Sequence, residues 1–185
     1  MSEFNEQIEL LKRGGIILYP TDTIWGLGCD ATNEDACQKI IKLKDRPSDN
    51  SFIILVDSFQ MVERYVPEFH EVCYELVDSV ETPLTIIYPT SRNLAPSVVA
   101  KNGSIGIRIT KDPICRALIR GAKKPLLSTS ANLSGKPFPS TFDEINNQIR
   151  NGVDAIVSER QKEKMDTPSQ IIEIGLDGRV KVIRA

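Results

Sequence analysis

Apolar and polar positions fall in blocks along this chain, and the blocks switch between a helical and an extended period. Residues 3–13 carry Phe4, Ile8 and Leu11 on one helical face, and Gly14 with Gly15 ends that pattern. Residues 16–19 form a short apolar run closed by Pro20, as a buried strand does. A polar loop is expected over 21–32. Thr32 and Asp35 have capping-box spacing, with Asp in place of Glu or Gln, so a helix is predicted over 33–44 and stopped by Pro47. Strands are predicted at 52–56, 84–88, 104–109 and 126–128, with short ones near 154–157, 171–174 and 179–183. Helices are predicted at 67–80 and 113–120, opening on Pro67 and Pro113, and at 142–150. Strands alternate with helices at first and dominate at the end. This order predicts an α/β fold: one domain over residues 1–185, its twisted sheet mixing parallel and antiparallel strands and flanked by helices.

Composition bounds the function more than the fold. The 185 residues are 41% hydrophobic and 26% charged, ordinary for a globular domain with a real core. No apolar run approaches the ~20 residues that span a bilayer. The amphipathic, acidic N-terminus does not read as a secretion signal, so the cytoplasm is the expected compartment and no membrane is expected as a partner. Cys29, Cys37, Cys73 and Cys115 show no C-x-x-C or zinc-ribbon spacing and read as reduced, apolar filling. His70 is the single histidine, expected within a helix three residues before Cys73. Two ligands do not complete a metal site, and a Ser-His-Asp hydrolase would need that one imidazole in place.

The net charge of −2 does not advertise a nucleic-acid binder, yet the charge is uneven. Seven acids and one base lie between positions 57 and 82; seven bases and one acid lie between 101 and 124. Such polarity suits a face that meets a polyanion, and equally a solvated surface.

Nucleotide motifs narrow the chemistry. Gly135-Lys136 is followed by Pro137, which excludes a Walker-type loop. Gly26, Gly28 and Ala31 match a dinucleotide fingerprint formally, but five residues separate them from the strand, so tight turning of a binding loop is the expected role. Three polar loops remain, each following a predicted strand or helix: 20–23 (PTDT), 44–47 (KDRP) and 128–135 (STSANLSG). Lys44 and Arg46 could grip one anion, the guanidinium as a fork and the ammonium as a point charge. The third loop offers four hydroxyls and an amide within seven residues, suited to phosphate or to capped turns.

In this order the loops resemble the YrdC/TsaC family of L-threonylcarbamoyladenylate synthases. The similar segments are 15–28 (GIILYPTDTIWGLG), 43–47 (LKDRP), 106–113 (GIRITKDP), 124–137 (KPLLSTSANLSGKP), 168–172 (PSQII) and 180–184 (VKVIR). They span nearly the whole chain and imply the single-domain form. The resemblance implies that Lys44, Arg46, Ser130 and Asn132 are a catalytic tetrad around the ATP phosphates. Asn50, Ser140 and Arg184 would add contacts to the nucleotide. Thr23, Arg108, Ser128 and Ser169 would hold threonine, with Arg108 on its carboxylate. ATP, L-threonine and bicarbonate would be the substrates, Mg2+ would accompany ATP, and the product would pass to the enzyme complex that modifies adenosine 37 of tRNA. Weak tRNA binding is a further implied property.

Three stretches depart from the family pattern: Glu81 where Trp-Pro-Gly is common, Asp112 where histidine often stands, and the charged stretch 159–166 where relatives are glycine-rich. That stretch reads as a mobile loop within the domain. Two other readings compete: a non-catalytic domain that binds RNA through residues 101–124, and a relative that forms carbamoyl-adenylate from carbamoyl phosphate.

Overall fold

The computed structural model describes residues 4–46 and 52–185, so Pro47 and Asn50 lie outside the described residues. Among the described residues six α-helices and nine strands follow in chain order: α1 (Asn5–Lys12), β1 (Ile17–Tyr19), β2 (Gly26–Asp30), α2 (Glu34–Lys44), β3 (Ile53–Val56), α3 (Phe59–Tyr65), α4 (Val72–Ser79), β4 (Leu84–Tyr88), β5 (Ile105–Ile109), α5 (Pro113–Ala122), β6 (Leu126–Ser130), α6 (Asn147–Gly152), β7 (Ala155–Ile156), β8 (Gln170–Ile174) and β9 (Val180–Arg184). A 3-10 turn at Pro96–Val98 lies between β4 and β5.

All nine strands form one sheet, in the order β7-β1-β2-β6-β3-β5-β4-β8-β9. It is mixed, as expected. The β1–β7, β3–β5 and β4–β8 pairs are parallel. The remaining neighbours are antiparallel, including β2–β6 at the centre, where Gly26 faces Ser130 and Gly28 faces Ser128. One buried core joins sheet and helices, with Tyr19, Trp25, Ile54, Leu55 and Leu127 at its heart. Among the described residues no helix is long and apolar enough to cross a membrane.

Several local expectations are corrected. Strand β2 runs through what was expected to be a polar loop. Its burial shows why: Leu27 and Cys29 are fully enclosed, and the glycines between them carry no side chain to reveal an alternating pattern. Neither glycine makes a tight turn. A Cβ at Gly28 would stand 2.7 Å from Tyr19 Cε1 and 2.9 Å from the Leu127 carbonyl oxygen, so glycine lets the tyrosine ring lie flat on β2. Helix α2 is capped by Asn33, whose side chain accepts from the Ala36 N–H, and not by Thr32, which is held by Asp30. The helix expected over 67–80 begins only at Val72. Ser58 caps α3, a helix the periodicity did not disclose, and Pro67 lies in the connection between the two. His70 therefore precedes α4, and its Nδ1 accepts from the Val72 N–H. Helix α6 starts at Asn147, five residues later than expected, after a turn-rich approach.

Three cations of the basic segment are engaged within the chain. Arg108 is buried, Arg120 pairs with Asp57 at 2.9 Å, and Lys124 donates to the Thr32 hydroxyl at 3.2 Å. Loop 159–166 is tethered at both ends: Arg160 binds the Thr21 carbonyl, and the Met165 N–H donates to the Ser140 carbonyl.

Candidate active site

Helix α2 ends where the sequence requires. Asp45 takes a left-handed backbone, φ 50°, its N–H donating to the Lys42 carbonyl and the Arg46 N–H reaching back to Ile41 at 3.0 Å. This Schellman-type closure turns the chain sharply, so Lys44 and Arg46 point toward the same neighbourhood from different sides of the bend. Lys44 is buried, and its ammonium donates to the carbonyl of Ser130 and, at 2.5 Å, to that of Asn132. The Ser134 N–H returns a bond to the Lys44 carbonyl. Burial, reinforced by the nearby Arg46 charge, brings the Lys44 ammonium down to about 7. Arg46 stacks over Phe52, 4.4 Å from the ring centre, and its Nη1 donates to the Thr129 hydroxyl at 3.4 Å.

Both loops therefore face one hollow. A cavity of about 230 Å³ is walled by Arg46 and Phe52 on one side and by Ser128, Thr129 and Ser130 along the end of β6. Thr21, Thr23 and Arg108 close another wall, and Ser169 with Arg184 a further one. Gly26 also lines the cavity, and a Cβ there would stand 3.3 Å from Tyr19 Cζ and 3.4 Å from Thr21 Cγ2.

Arg108 is a buried cation in the cavity wall. It is 5% exposed, and its Nη1 donates to the Thr23 hydroxyl at 3.1 Å. Its Nη2 lies 3.1 Å from Asp22 Oδ1, a contact of charge without good hydrogen-bond alignment. Its Nε has no acceptor among the described residues. Thr21 supports this arrangement: its hydroxyl accepts the N–H groups of Thr23 and Ile24 and lies 2.9 Å from the Thr23 hydroxyl. Opposite, the Tyr19 hydroxyl donates to Ser128 at 2.8 Å, and burial pushes the Tyr19 phenol well above its ordinary range, keeping it a donor. Ser169 is buried against the Thr85 hydroxyl at 2.8 Å. Its carbonyl receives two bonds from the Arg184 guanidinium, at 2.9 and 2.7 Å, and burial followed by the Arg108 charge lowers the Arg184 pKa.

Of the residues anticipated, Thr23, Arg46, Arg108, Ser128, Ser130, Ser169 and Arg184 come together around the cavity. Lys44 and Asn132 stand behind its wall, joined to each other and to the loop that carries Ser130. The Asn132 side-chain amide is directed to the carbonyls of Leu133 and Lys136, at 3.0 and 2.6 Å. Ser140 also lies outside the lining; its N–H donates to Glu144 Oε2 at 2.7 Å. Asn50 falls outside the described residues. Missed by the sequence reading were Tyr19, Asp22 and Arg160, whose roles depend on partners distant in the chain.

Comparisons with known proteins give the family and the fold. A family model for Sua5, YciO and YrdC, described as telomere recombination, matches residues 9–185. A threonylcarbamoyl-AMP synthase of Psychromonas ingrahamii is 32% identical over 184 residues, 97% of this chain and 96% of that protein. The solved structure of P. abyssi Sua5 complexed with L-threonine superposes with a TM-score of 0.82 at 26% identity, over 92% of this chain and 50% of that one. E. coli YciO superposes with a TM-score of 0.81 at 25% identity, over 98% of this chain and 87% of its own. The chain thus spans about half the length of the Sua5 protein and nearly all of the synthase. With the family match running from α1 to the last strand, the chain belongs to the Sua5/YciO/YrdC family.

Proposed function

We propose that this chain is an L-threonylcarbamoyladenylate synthase, a nucleotidyltransferase that condenses L-threonine, bicarbonate and ATP. The observation that carries the reading is the shared cavity: Arg46 and the hydroxyls of 128–130 face the same space as buried Arg108. One end suits a polyphosphate, the other a carboxylate. Resemblance to threonylcarbamoyl-AMP synthases, and the L-threonine complex of P. abyssi Sua5, support threonine as the amino acid.

In this reading the threonine carboxylate meets Arg108, and Thr23, Ser128 and Ser169 hold the rest of the amino acid. The threonine amine takes up bicarbonate with loss of water to form a carbamate. A carbamate oxygen attacks the α-phosphorus of ATP and pyrophosphate leaves. No enzymic nucleophile is needed. Charge grows on the phosphate oxygens, and fixed donors from Arg46 and the hydroxyls of Ser128, Thr129 and Ser130 stabilise it without reorganising. Lys44 and Asn132 act on the same loop from behind, and Arg184 with Asn50 and Ser140 would contact the nucleotide.

Among the described residues no three His, Cys, Asp or Glu side chains gather to hold a metal. The neutral hydroxyls of the 128–130 strand end fit Mg2+ that arrives on ATP, since this ion keeps its waters and leans on substrate phosphates. Bound there, Mg2+ would neutralise phosphate charge. The unstable adenylate would pass to the complex that threonylcarbamoylates tRNA.

The test is direct. Protein with ATP, Mg2+, threonine and bicarbonate releases pyrophosphate and yields threonylcarbamoyl-AMP by mass spectrometry, and omission of either threonine or bicarbonate abolishes the product. Pyrophosphate release indifferent to both would refute the substrate assignment.

A further inference from the structure

Arg160 belongs to the 159–166 loop and has a left-handed backbone, φ 59°, a conformation that a side-chain-bearing residue keeps only where its surroundings hold it. Three partners do so. Nε donates to Glu163 Oε2 at 2.7 Å, and Nη1 donates both to Asp112 Oδ2 at 2.7 Å and to the Thr21 carbonyl at 3.1 Å. Asp112 is a fixed post: it is 5% exposed and caps α5 by accepting the Cys115 N–H at 2.9 Å. An ion pair with one buried, doubly engaged member differs from the exposed pairs that contribute little.

The carbonyl that Arg160 holds lies at the root of the turn that fixes Arg108. The Thr21 hydroxyl organises the Thr23 and Ile24 N–H groups, Thr23 accepts from Arg108, and Asp22 faces the same guanidinium. Asp22, Asp112 and Arg160 line a second hollow, of about 430 Å³, while Thr21, Thr23 and Arg108 line the first. The Asp22–Arg108 pair therefore stands between the two hollows, and Arg160 braces it from the far side.

We propose that Arg160 is a positioning residue for the amino-acid half of the cavity, holding the 21–23 turn through the Thr21 carbonyl so that Thr23 and Asp22 present Arg108 in one orientation. The assignment of that half to an amino acid rests on the function proposed above; the bracing of the turn does not. Arg160 touches no substrate in this scheme, and its loss acts through Arg108.

Three variants test it in the full chain: Arg160→Ala, Arg160→Lys and Asp112→Asn. The last keeps an N-cap, since Asn caps as well as Asp, and replaces the charged oxygen that accepts from Arg160 with an amide N–H2 that cannot accept. In Arg160→Ala the KM for threonine rises about tenfold, as expected for a lost charge-assisted hydrogen bond, and the KM for ATP stays within about twofold. Arg160→Lys recovers part of the loss. Asp112→Asn follows Arg160→Ala, and the double variant is no worse than either single one. An unchanged threonine KM, or threonine and ATP KM values rising together as the melting temperature falls, would overturn the proposal. A substrate-free readout separates it from the functional reading: amide exchange at Thr23 and Ile24 is about tenfold faster in Arg160→Ala than in the parent, as for an opened local structure. Faster exchange in a protein whose parent shows no threonine-dependent pyrophosphate release leaves the bracing intact and removes the substrate. Unchanged exchange removes the bracing.

Discussion

The Lys44 ammonium lies 2.5 Å from the carbonyl oxygen of Asn132, a residue 88 positions along the chain. A buried cation thus ties the end of α2 to the loop after β6, and it does so with donors that a phosphate could also use. Because burial and the Arg46 charge hold its pKa at about 7, a bound polyphosphate should raise that value by favouring the charged form. Between the free and bound values nucleotide binding takes up a proton, so affinity for ATP falls as pH rises above 7. Titration calorimetry at pH ~8, in buffers of different ionisation enthalpy, should report about half a proton or more taken up per ATP. No buffer dependence would mean that Lys44 does not sense the nucleotide.

Arg46 should matter to turnover far more than to folding. Its guanidinium lines the cavity and stacks on Phe52, a contact worth about 1 kcal/mol at a partly exposed site. Arg46→Ala is expected to lower kcat/KM by roughly two to three orders of magnitude, as loss of a preorganised donor to developing charge does. The melting temperature should move by only a few degrees. Steady-state pyrophosphate release and thermal unfolding, measured on the same preparation, check both halves. Parallel losses would assign Arg46 a structural role.

Much of this site was legible along the chain because its parts are local. Asp45 with Arg46 closes a helix within a few residues, and Ser128–Ser130 follow a buried strand whose apolar residues announce it. Strand β4 coincides with its apolar run, and Pro113 opens α5 with Asp112 as its cap. What the sequence concealed depends on distance. Gly26 and Gly28 looked like a turn because the ring that needs their flatness, Tyr19, arrives from β1. The two departures at Asp112 and 159–166 looked independent, yet Arg160 meets Asp112 across 48 residues. Lys44 was legible as a cation but not as one buried behind the cavity wall, since periodicity says nothing of which carbonyls a side chain will find.

Gly28 offers a test of packing against chemistry. Gly28→Ala puts a methyl group 2.7 Å from the Tyr19 ring and 2.9 Å from a backbone oxygen, neither of which is a flexible chain end. Overpacking of this kind costs about 1–3 kcal/mol. Denaturant unfolding should show that loss, and the displaced ring should also carry its hydroxyl away from Ser128, raising the threonine KM. Unchanged stability would indicate that Tyr19 has room to tilt, and the packing argument would fail.

Asp22→Asn separates the charge that Arg108 lacks from the charge a substrate brings. The guanidinium is 6% exposed and the carboxylate 21%, so neutralising Asp22 leaves a buried cation with Thr23 as its one hydrogen-bond partner among the described residues. Removing one member of such a pair is destabilising; partial exposure of Asp22 reduces the expected loss to about 1–3 kcal/mol. If the threonine carboxylate meets Arg108, it supplies the missing charge, and saturating threonine should raise the melting temperature of Asp22→Asn by more than it raises that of the parent. Scanning fluorimetry with threonine and with threonine methyl ester distinguishes the cause, since the ester keeps the side chain and amine but brings no anion. Equal shifts with both ligands would place the carboxylate away from Arg108 and undo the orientation of the amino acid argued for this cavity.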